Sequence, residues 1–158
     1  MEALLLANSV LGGGIQGRLF RVVREERSLA YGIGSEVLAG KGLLTVSAGI
    51  DARKAGEVRD EVLHQVADLA AHGPNAEELE MAKASFRNGL QAIGDSAGGI
   101  ARFYAREYQF GLHRSPAQRA AVLEALGPDQ IQAAAQRWVA DTAFLMAAPQ
   151  AELAEQVG

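Results

Sequence analysis

An arginine and a tyrosine seven positions apart, Arg24 and Tyr31, are the side chains of this sequence best suited to chemistry on a peptide. A guanidinium can hold a peptide carbonyl, and a phenol can donate a hydrogen bond to the oxyanion that forms when such a carbonyl is attacked. Arg24 lies near the end of a predicted helix and Tyr31 near the start of the next predicted strand, so a tight connection could bring both to one side of a sheet edge. A structural interpretation stays open, because Arg24 can pair with a surface glutamate and Tyr31 can be an ordinary strand aromatic.

A glycine-rich segment precedes this pair, with Gly12, Gly13 and Gly14 in a row and Gly17 shortly after them. The spacing fits the dinucleotide-binding pattern GxGxxG, which functions only between a strand and a helix. The preceding residues predict a helix and no βαβ unit follows, so nucleotide binding is a minor alternative, testable by whether residues 3–11 form a strand. The other interpretations are a flexible turn between two helices, or a loop whose backbone amides and carbonyls are open to a peptide.

Three potential metal ligands, His64, Asp68 and His72, recur at every fourth position of one predicted helix. They lie opposite the apolar stripe of that helix (Val58, Val62, Val66 and Leu69), so we expect them to face solvent. Their polar neighbours on the same side are Glu57, Asp60 and Glu61. The sequence contains no HxxEH pattern and no cysteine, so we predict that this chain has no metal site of its own.

Charge and composition narrow the classes of partner. The 158 residues carry a net charge of −4, and their basic side chains are scattered, which argues against nucleic acid as a partner. No apolar run reaches the roughly 18–20 residues that span a bilayer. We therefore expect a soluble protein, with the periplasm and the cytoplasm both left open as its compartment.

Periodicity and turn residues predict the elements that position these groups. Helices are expected over residues 2–11, 16–27 and 53–72, and a strand pair over 29–38 and 43–50 forms a hairpin. Asn75 with Glu78, and Ser115 with Gln118, are capping-box signatures that start two further helices. A break is expected at residues 94–99, a last long helix from Gly127 to about Val139, and a final buried strand over residues 143–148. The prediction is a single α+β domain over residues 1–158 without internal linkers.

The run NSVLGGGIQGRLFRVVREERSLAYGIGS, residues 8–35, resembles the C-terminal domain of the pitrilysin/insulinase (inverzincin) zinc metallopeptidases, including bacterial processing-peptidase-like members. The shared features are an asparagine and a leucine before a glycine run, then Arg-Leu-Phe, an Arg-Glu pair, and Leu-Ala-Tyr leading into a strand. GPNAEELEMAKASF, residues 73–86, is similar to a helix start of the same family, and the closing segment through AAPQ also fits.

This resemblance implies an αβ sandwich, a mixed or antiparallel sheet of three to four strands with helices packed on one face. It also implies that a separate N-terminal domain holds zinc through HxxEH, while the C-terminal domain contributes an arginine and a tyrosine to the substrate. Arg24 and Tyr31 match that pair in type and spacing, which makes Tyr31 a catalytic candidate and Arg24 a substrate-binding one. Gly12, Gly13 and Gly14 are expected to touch substrate as well.

Two departures qualify the resemblance. Gln16-Gly17 stands where the family commonly has Ser-Ser, and Ser28 stands where it has glycine. The strand or strands that open a family domain are missing before the first helix, as is the zinc-bearing domain, so we interpret the chain as a partial, non-catalytic C-terminal domain.

The expected partners are a zinc-bearing domain in cis or a homologous subunit in trans, and a peptide substrate. The alternative function is that of a catalytically inactive scaffold subunit of the same family.

Overall fold

The computed structural model describes residues 1–41 and 43–138, which form a two-stranded antiparallel sheet and a set of helices. The elements in chain order are α1 (Glu2–Gly12), a π-helix (Phe20–Glu26), β1 (Ala30–Leu38), β2 (Leu43–Ile50), α2 (Ala55–His72), α3 (Ala76–Gln91), α4 (Ala97–Gln109), α5 (Pro116–Glu124) and α6 (Pro128–Ala135). The predicted α+β class is therefore confirmed, and so is the predicted hairpin. Residues 3–11 form a helix, so the nucleotide-binding alternative loses the strand that it requires.

Helix α1 lies across β1, which explains how so apolar a helix is accommodated. Leu6 and Leu11 on the helix are completely buried, and they belong to the same apolar core as Ala30 and Ile33 of β1. The side-chain amide of Asn8 donates a hydrogen bond of 3.2 Å to the backbone carbonyl of Ser35. Apolar packing thus supplies the attraction between helix and strand, and this hydrogen bond links the two elements directly.

The remaining helices complete one core around α1. Completely buried side chains come from the segment after the glycines, from α2 and from α6, namely Leu19, Val23, Leu69 and Ile131. The helix starts follow the predicted chemistry, because Asn75 and Ser115 each form a capping box, with Glu78 and Gln118 respectively. The break expected at residues 94–99 is present as a 3₁₀ segment, Ala92–Asp95, that separates α3 from α4.

The first turn of α1 is held by ion pairs rather than by a side-chain cap. Glu2 accepts from Arg114 at 2.6 Å, and Arg114 also donates to the buried carboxylate of Glu107 at 2.9 Å. Arg119 lies 3.3 Å from the same Glu107 carboxylate. This cluster fixes the start of α1 to α4 and to the residues around α5.

Several boundaries differ from the sequence-based expectation. The described part of the chain contains two strands rather than three to four, and the strand predicted over residues 143–148 lies outside the described residues. Helix α6 ends at Ala135, earlier than the predicted end near Val139, a residue that lies outside the described part of the chain. None of the helices in the described ranges is both long and apolar enough to cross a membrane.

Candidate functional site

The segment that carries Arg24 is a π-helix, not the ordinary helix that the sequence predicts over residues 16–27. The N–H of Arg27 donates to the carbonyl of Val22 at 3.0 Å, five residues back, and this pattern widens the turn. Leu19 and Val23 are fully buried and anchor this segment in the core. π-helical turns are rare in proteins as a whole. Those that do occur are often found at functional sites.

The connection from this helix to β1 is short and is held from below by α2. Ser28 adopts a left-handed conformation with φ of 51°, and the ammonium of Lys54 donates to its carbonyl at 2.9 Å. Arg27 forms a salt bridge with Glu61 on α2. The family resembled by this sequence has glycine at the Ser28 position, and the positive φ gives the physical reason, because glycine adopts that conformation without a Cβ clash.

A β-bulge turns Tyr31 outward at the start of β1. Ala30 pairs with Ile50 and Gly32 pairs with Gly49, so Tyr31 is the extra residue of β1 at this point. Without the bulge, strict alternation would place Tyr31 on the buried face with Ile33 and Val37. Instead, the Tyr31 side chain is 78% exposed.

Arg24 and Tyr31 line one open groove of about 390 Å³. Its other walls are the connecting residues 28–30 and two residues that follow β2, Asp51 and Lys54. The guanidinium of Arg24 lies over the ring of Phe20, 4.5 Å from its centroid. Stacking of this kind uses the flat face of the guanidinium and leaves its edge donors available for a carbonyl or a carboxylate.

Asp51 is the acidic group of the groove, and it is held in its charged form. Hydrogen bonds from the side chain and the backbone N–H of Arg53 lower the pKa of Asp51 to about 2, and the positive charges of Arg53 and Lys54 contribute to the shift. Oδ2 of Asp51 accepts from the Arg53 guanidinium at 2.7 Å. A carboxylate with so low a pKa is ionised near neutral pH and is not suited to general acid catalysis there.

Comparison with known proteins agrees with this architecture. Residues 1–86 match the sequence profile of the family described as "Peptidase M16 inactive domain". This chain belongs to that family. A zinc protease of Mycobacterium tuberculosis, itself uncharacterized, is 32% identical to the chain over 136 residues, which are 84% of this chain and 31% of the relative. A probable inactive metalloprotease of Bacillus subtilis is 31% identical over 101 residues, 64% of this chain and 24% of the relative.

Solved structures show the same fold. A peptidase M16 inactive domain from Pseudomonas fluorescens superposes with a TM-score of 0.76 at 26% identity, covering 86% of this chain and 33% of that one. A conserved protein from Enterococcus faecalis gives a TM-score of 0.79 at 27% identity, with 86% and 32% covered. The chain thus spans about a third of the length of the curated relatives it matches. The resemblance to zinc metallopeptidases of the pitrilysin/insulinase type is confirmed at the level of family and fold.

The glycine run of this M16 domain lies away from the Arg24–Tyr31 groove. A Cβ on Gly12 would come within 2.5 Å of Ser35 Oγ and 2.9 Å of the Ser35 backbone nitrogen, so glycine at this position allows α1 to approach β1 closely. Gly13 and Gly14 border a second groove, of about 450 Å³, against Met81 and its neighbours on α3. The structure therefore gives Gly12 a packing role, and substrate contact by Gly12, Gly13 and Gly14 stays a prediction.

One buried charged group of the M16 domain, Arg18, was not identified from the sequence. Its side chain donates to both oxygens of Glu78 at 2.8 Å, to Asp68 at 2.7 Å and to the carbonyl of Gly73 at 3.0 Å. Burial by itself lowers the pKa of Arg18 and raises that of Glu78, but their mutual hydrogen bond and charge reverse both shifts, so the Arg18 pKa is raised and the Glu78 pKa lowered. The capping-box position of Glu78 was visible in the sequence, whereas its partner 60 residues away was not.

The expectation that the polar side of α2 is fully solvated is wrong at two residues. Glu61 is buried and forms the salt bridge with Arg27, because α2 lies beneath the connection to β1. Asp68 is only partly exposed. One of its oxygens lies 2.9 Å from Nδ1 of His72 on the same helix, and the other forms a salt bridge with Arg18. Over residues 1–41 and 43–138, no group of three histidine, cysteine, aspartate or glutamate side chains is arranged to hold a metal ion.

Proposed function

We propose that this chain is part of the non-zinc-binding half of a zinc metalloendopeptidase, and that it contributes substrate binding and oxyanion stabilisation to peptide-bond hydrolysis. The observation that carries the proposal is the shared groove, in which Arg24 and Tyr31 come together from a π-helix and a β-bulge. Both irregularities are local departures from regular structure, and such departures concentrate at functional sites.

In this proposal the two side chains have separate tasks. Arg24 holds a backbone carbonyl of the peptide with its edge donors, while Phe20 supports the flat face of the guanidinium. The exposed hydroxyl of Tyr31 donates to the carbonyl oxygen of the scissile bond as that oxygen gains negative charge. Tyr31 needs no change of protonation state for this role, since a neutral phenol is the donor.

Zinc belongs, in this proposal, to another domain of the same polypeptide or to a homologous partner subunit. The described residues do not fit a zinc site, because they offer no group of three suitable ligands. The zinc proteases among the relatives are about three times as long as the matched region, which leaves room for a zinc-bearing domain in cis. Activation of water is assigned to that domain, and this chain is expected to cleave nothing when isolated.

The experiment uses the full-length protein that contains this sequence, with an internally quenched peptide as substrate. Removing a donor of the oxyanion-hole kind costs about 2.7–4 kcal/mol in the transition state. Tyr31→Phe should therefore lower kcat at least tenfold, with an unchanged melting temperature. The matched control is Tyr108→Phe, because Tyr108 is 75% exposed and lies outside the groove. Unchanged turnover in Tyr31→Phe would reject the catalytic role of the tyrosine.

A second candidate function is an inactive scaffold or assembly subunit. The description of the matching family as an inactive domain favours it, as does the name of the probable inactive metalloprotease of Bacillus subtilis. Under this alternative the full-length protein does not hydrolyse peptides even when supplied with zinc, and substitution of Arg24 does not change peptide binding. Measurement of hydrolysis and of peptide affinity on the same preparation separates the two functions.

A further inference from the structure

Lys54 is a cation in the groove to which neither the resemblance nor the proposed function gives a role. It precedes α2 as the N-cap residue and lines the groove together with Arg24 and Tyr31. One of its donors is used by the carbonyl of Ser28 at 2.9 Å. An ammonium group has three N–H donors, so two remain for a bound molecule.

The charge of the groove is positive once its internal pairs are counted. The single carboxylate of the groove, Asp51, accepts from Arg53 through both of its oxygens, at 3.1 Å and 2.7 Å. Arg53 is not one of the residues that line the groove. Arg53 thus pairs with Asp51 from outside the groove, and Lys54 also acts on its charge from within. The two cations that face the groove, Arg24 and Lys54, outnumber its one carboxylate.

These two cations differ from the cations of the core-facing clusters. Arg18, Arg27 and Arg114 each form a salt bridge with a carboxylate. Within residues 1–41 and 43–138, Arg24 instead stacks on an aromatic ring and Lys54 bonds to a carbonyl. In a chain with a net charge of −4, a groove with two cations and an already neutralised carboxylate is complementary to an anionic ligand.

We propose that Lys54 is a specificity-determining residue that binds a carboxylate of the peptide substrate. The inference rests on the proposed function, since it takes Arg24 and Tyr31 to engage the peptide backbone while Lys54 engages a charged group of the same peptide. A lysine ammonium is a compact point charge on a flexible stem, suited to a carboxylate whose orientation is not fixed. The carboxylate comes from an aspartate or glutamate side chain or from the peptide C-terminus.

The test measures selectivity within one enzyme. Full-length protein is assayed with a neutral peptide in which each position in turn is Glu or Gln, and with free-acid and amidated C-termini. The ratio of kcat/KM for Glu over Gln should reach up to about fivefold at one position, as expected for an exposed ion pair, or the free acid should be favoured over the amide by that factor. Raised salt concentration should reduce the ratio.

Three variants decide the assignment. Lys54→Met should bring the ratio to about one, Lys54→Arg should retain it, and the control Lys41→Met should leave it unchanged, because Lys41 is exposed and lies outside the groove. Loss of the bond to Ser28 would affect charged and neutral peptides alike, so it changes turnover and not the ratio. A wild-type ratio near one at every position and terminus, or a preference that survives in Lys54→Met, overturns the proposal.

Failure of the Lys54 carboxylate site can be distinguished from failure of the proposed oxyanion role of Tyr31. The same peptide pairs are measured for Kd by fluorescence anisotropy, which requires no cleavage. If Tyr31→Phe retains full turnover while Lys54→Met loses the acid preference, the oxyanion role fails and the carboxylate site stands. If Tyr31→Phe loses turnover and neither kcat/KM nor Kd distinguishes Glu from Gln, the carboxylate site fails and the oxyanion role stands.

Discussion

Replacement of Arg18 by methionine tests whether the buried ion pair with Glu78 holds the start of the π-helix to the α2–α3 junction. Arg18 is 7% exposed and Glu78 5% exposed, so the substitution leaves a carboxylate without its main partner in a nearly dry site. Breaking a buried pair from one side costs about 3–5 kcal/mol. The lower end, about 3 kcal/mol, is expected here, because Arg21 remains 3.4 Å from Glu78 and the N–H of Asn75 still donates to it at 3.0 Å.

The measurement is urea-induced unfolding followed by circular dichroism and by the fluorescence of Trp138, the single tryptophan of this sequence. Arg87→Met is the matched control, since its pair with Glu124 at 2.6 Å is exposed on both sides and should contribute about 0.2–1 kcal/mol. Adding Glu78→Gln to Arg18→Met should restore about 1 kcal/mol or more, because the buried charge is removed. A loss no larger than that of the control, or no recovery in the double variant, would refute the reasoning.

The pH dependence of stability in the same variants tests whether Arg18 keeps the buried Glu78 carboxylate ionised. In the wild type the pKa of Glu78 lies below its ordinary value of 4.5, so its stabilising contribution is present above that pH and is lost as the pH falls further. In Arg18→Met, burial is no longer opposed by the guanidinium and should raise the pKa of Glu78. The free-energy cost of the unpaired Glu78 carboxylate is then relieved as the pH falls through this raised pKa. The stability difference between wild type and Arg18→Met should therefore shrink between neutral pH and pH 4.5.

Two further predictions concern backbone geometry. Gly12→Ala should destabilise the fold by about 1–3 kcal/mol, because the new methyl group meets the backbone nitrogen of Ser35 at 2.9 Å. Gly89→Ala, at an open position of α3, should instead stabilise the fold by about 0.5–1 kcal/mol. Both variants are measured by urea titration. Equal effects of Gly12→Ala and Gly89→Ala would contradict the packing role of Gly12. Ser28→Gly should change stability by less than about 0.5 kcal/mol, since relief of the positive φ is offset by greater freedom of the unfolded chain. Ser28→Val should cost about 1–3 kcal/mol, and thermal melts in which the two Ser28 variants coincide would contradict the strained geometry.

Local sequence determined the capping boxes, the hairpin and the helices other than the π-helical segment Phe20–Glu26. Asn75 with Glu78, and Ser115 with Gln118, could be identified because both partners of each cap lie within one helical turn. The closeness of Arg24 and Tyr31 was predictable for a similar reason, since the short connection between helix and strand limits how far apart they can lie. The family could also be identified from a continuous run of residues.

The tertiary structure decided the features that depend on neighbours distant in sequence. The bulge that exposes Tyr31 is a matter of register against β2, and single-strand alternation would have buried that side chain. The packing role of Gly12 appears only when β1 lies against α1, and the buried state of Arg18 only when α2 and α3 supply Asp68 and Glu78. Propensity and periodicity describe one element at a time, whereas burial and ion pairing are set by the surfaces that other elements bring against it.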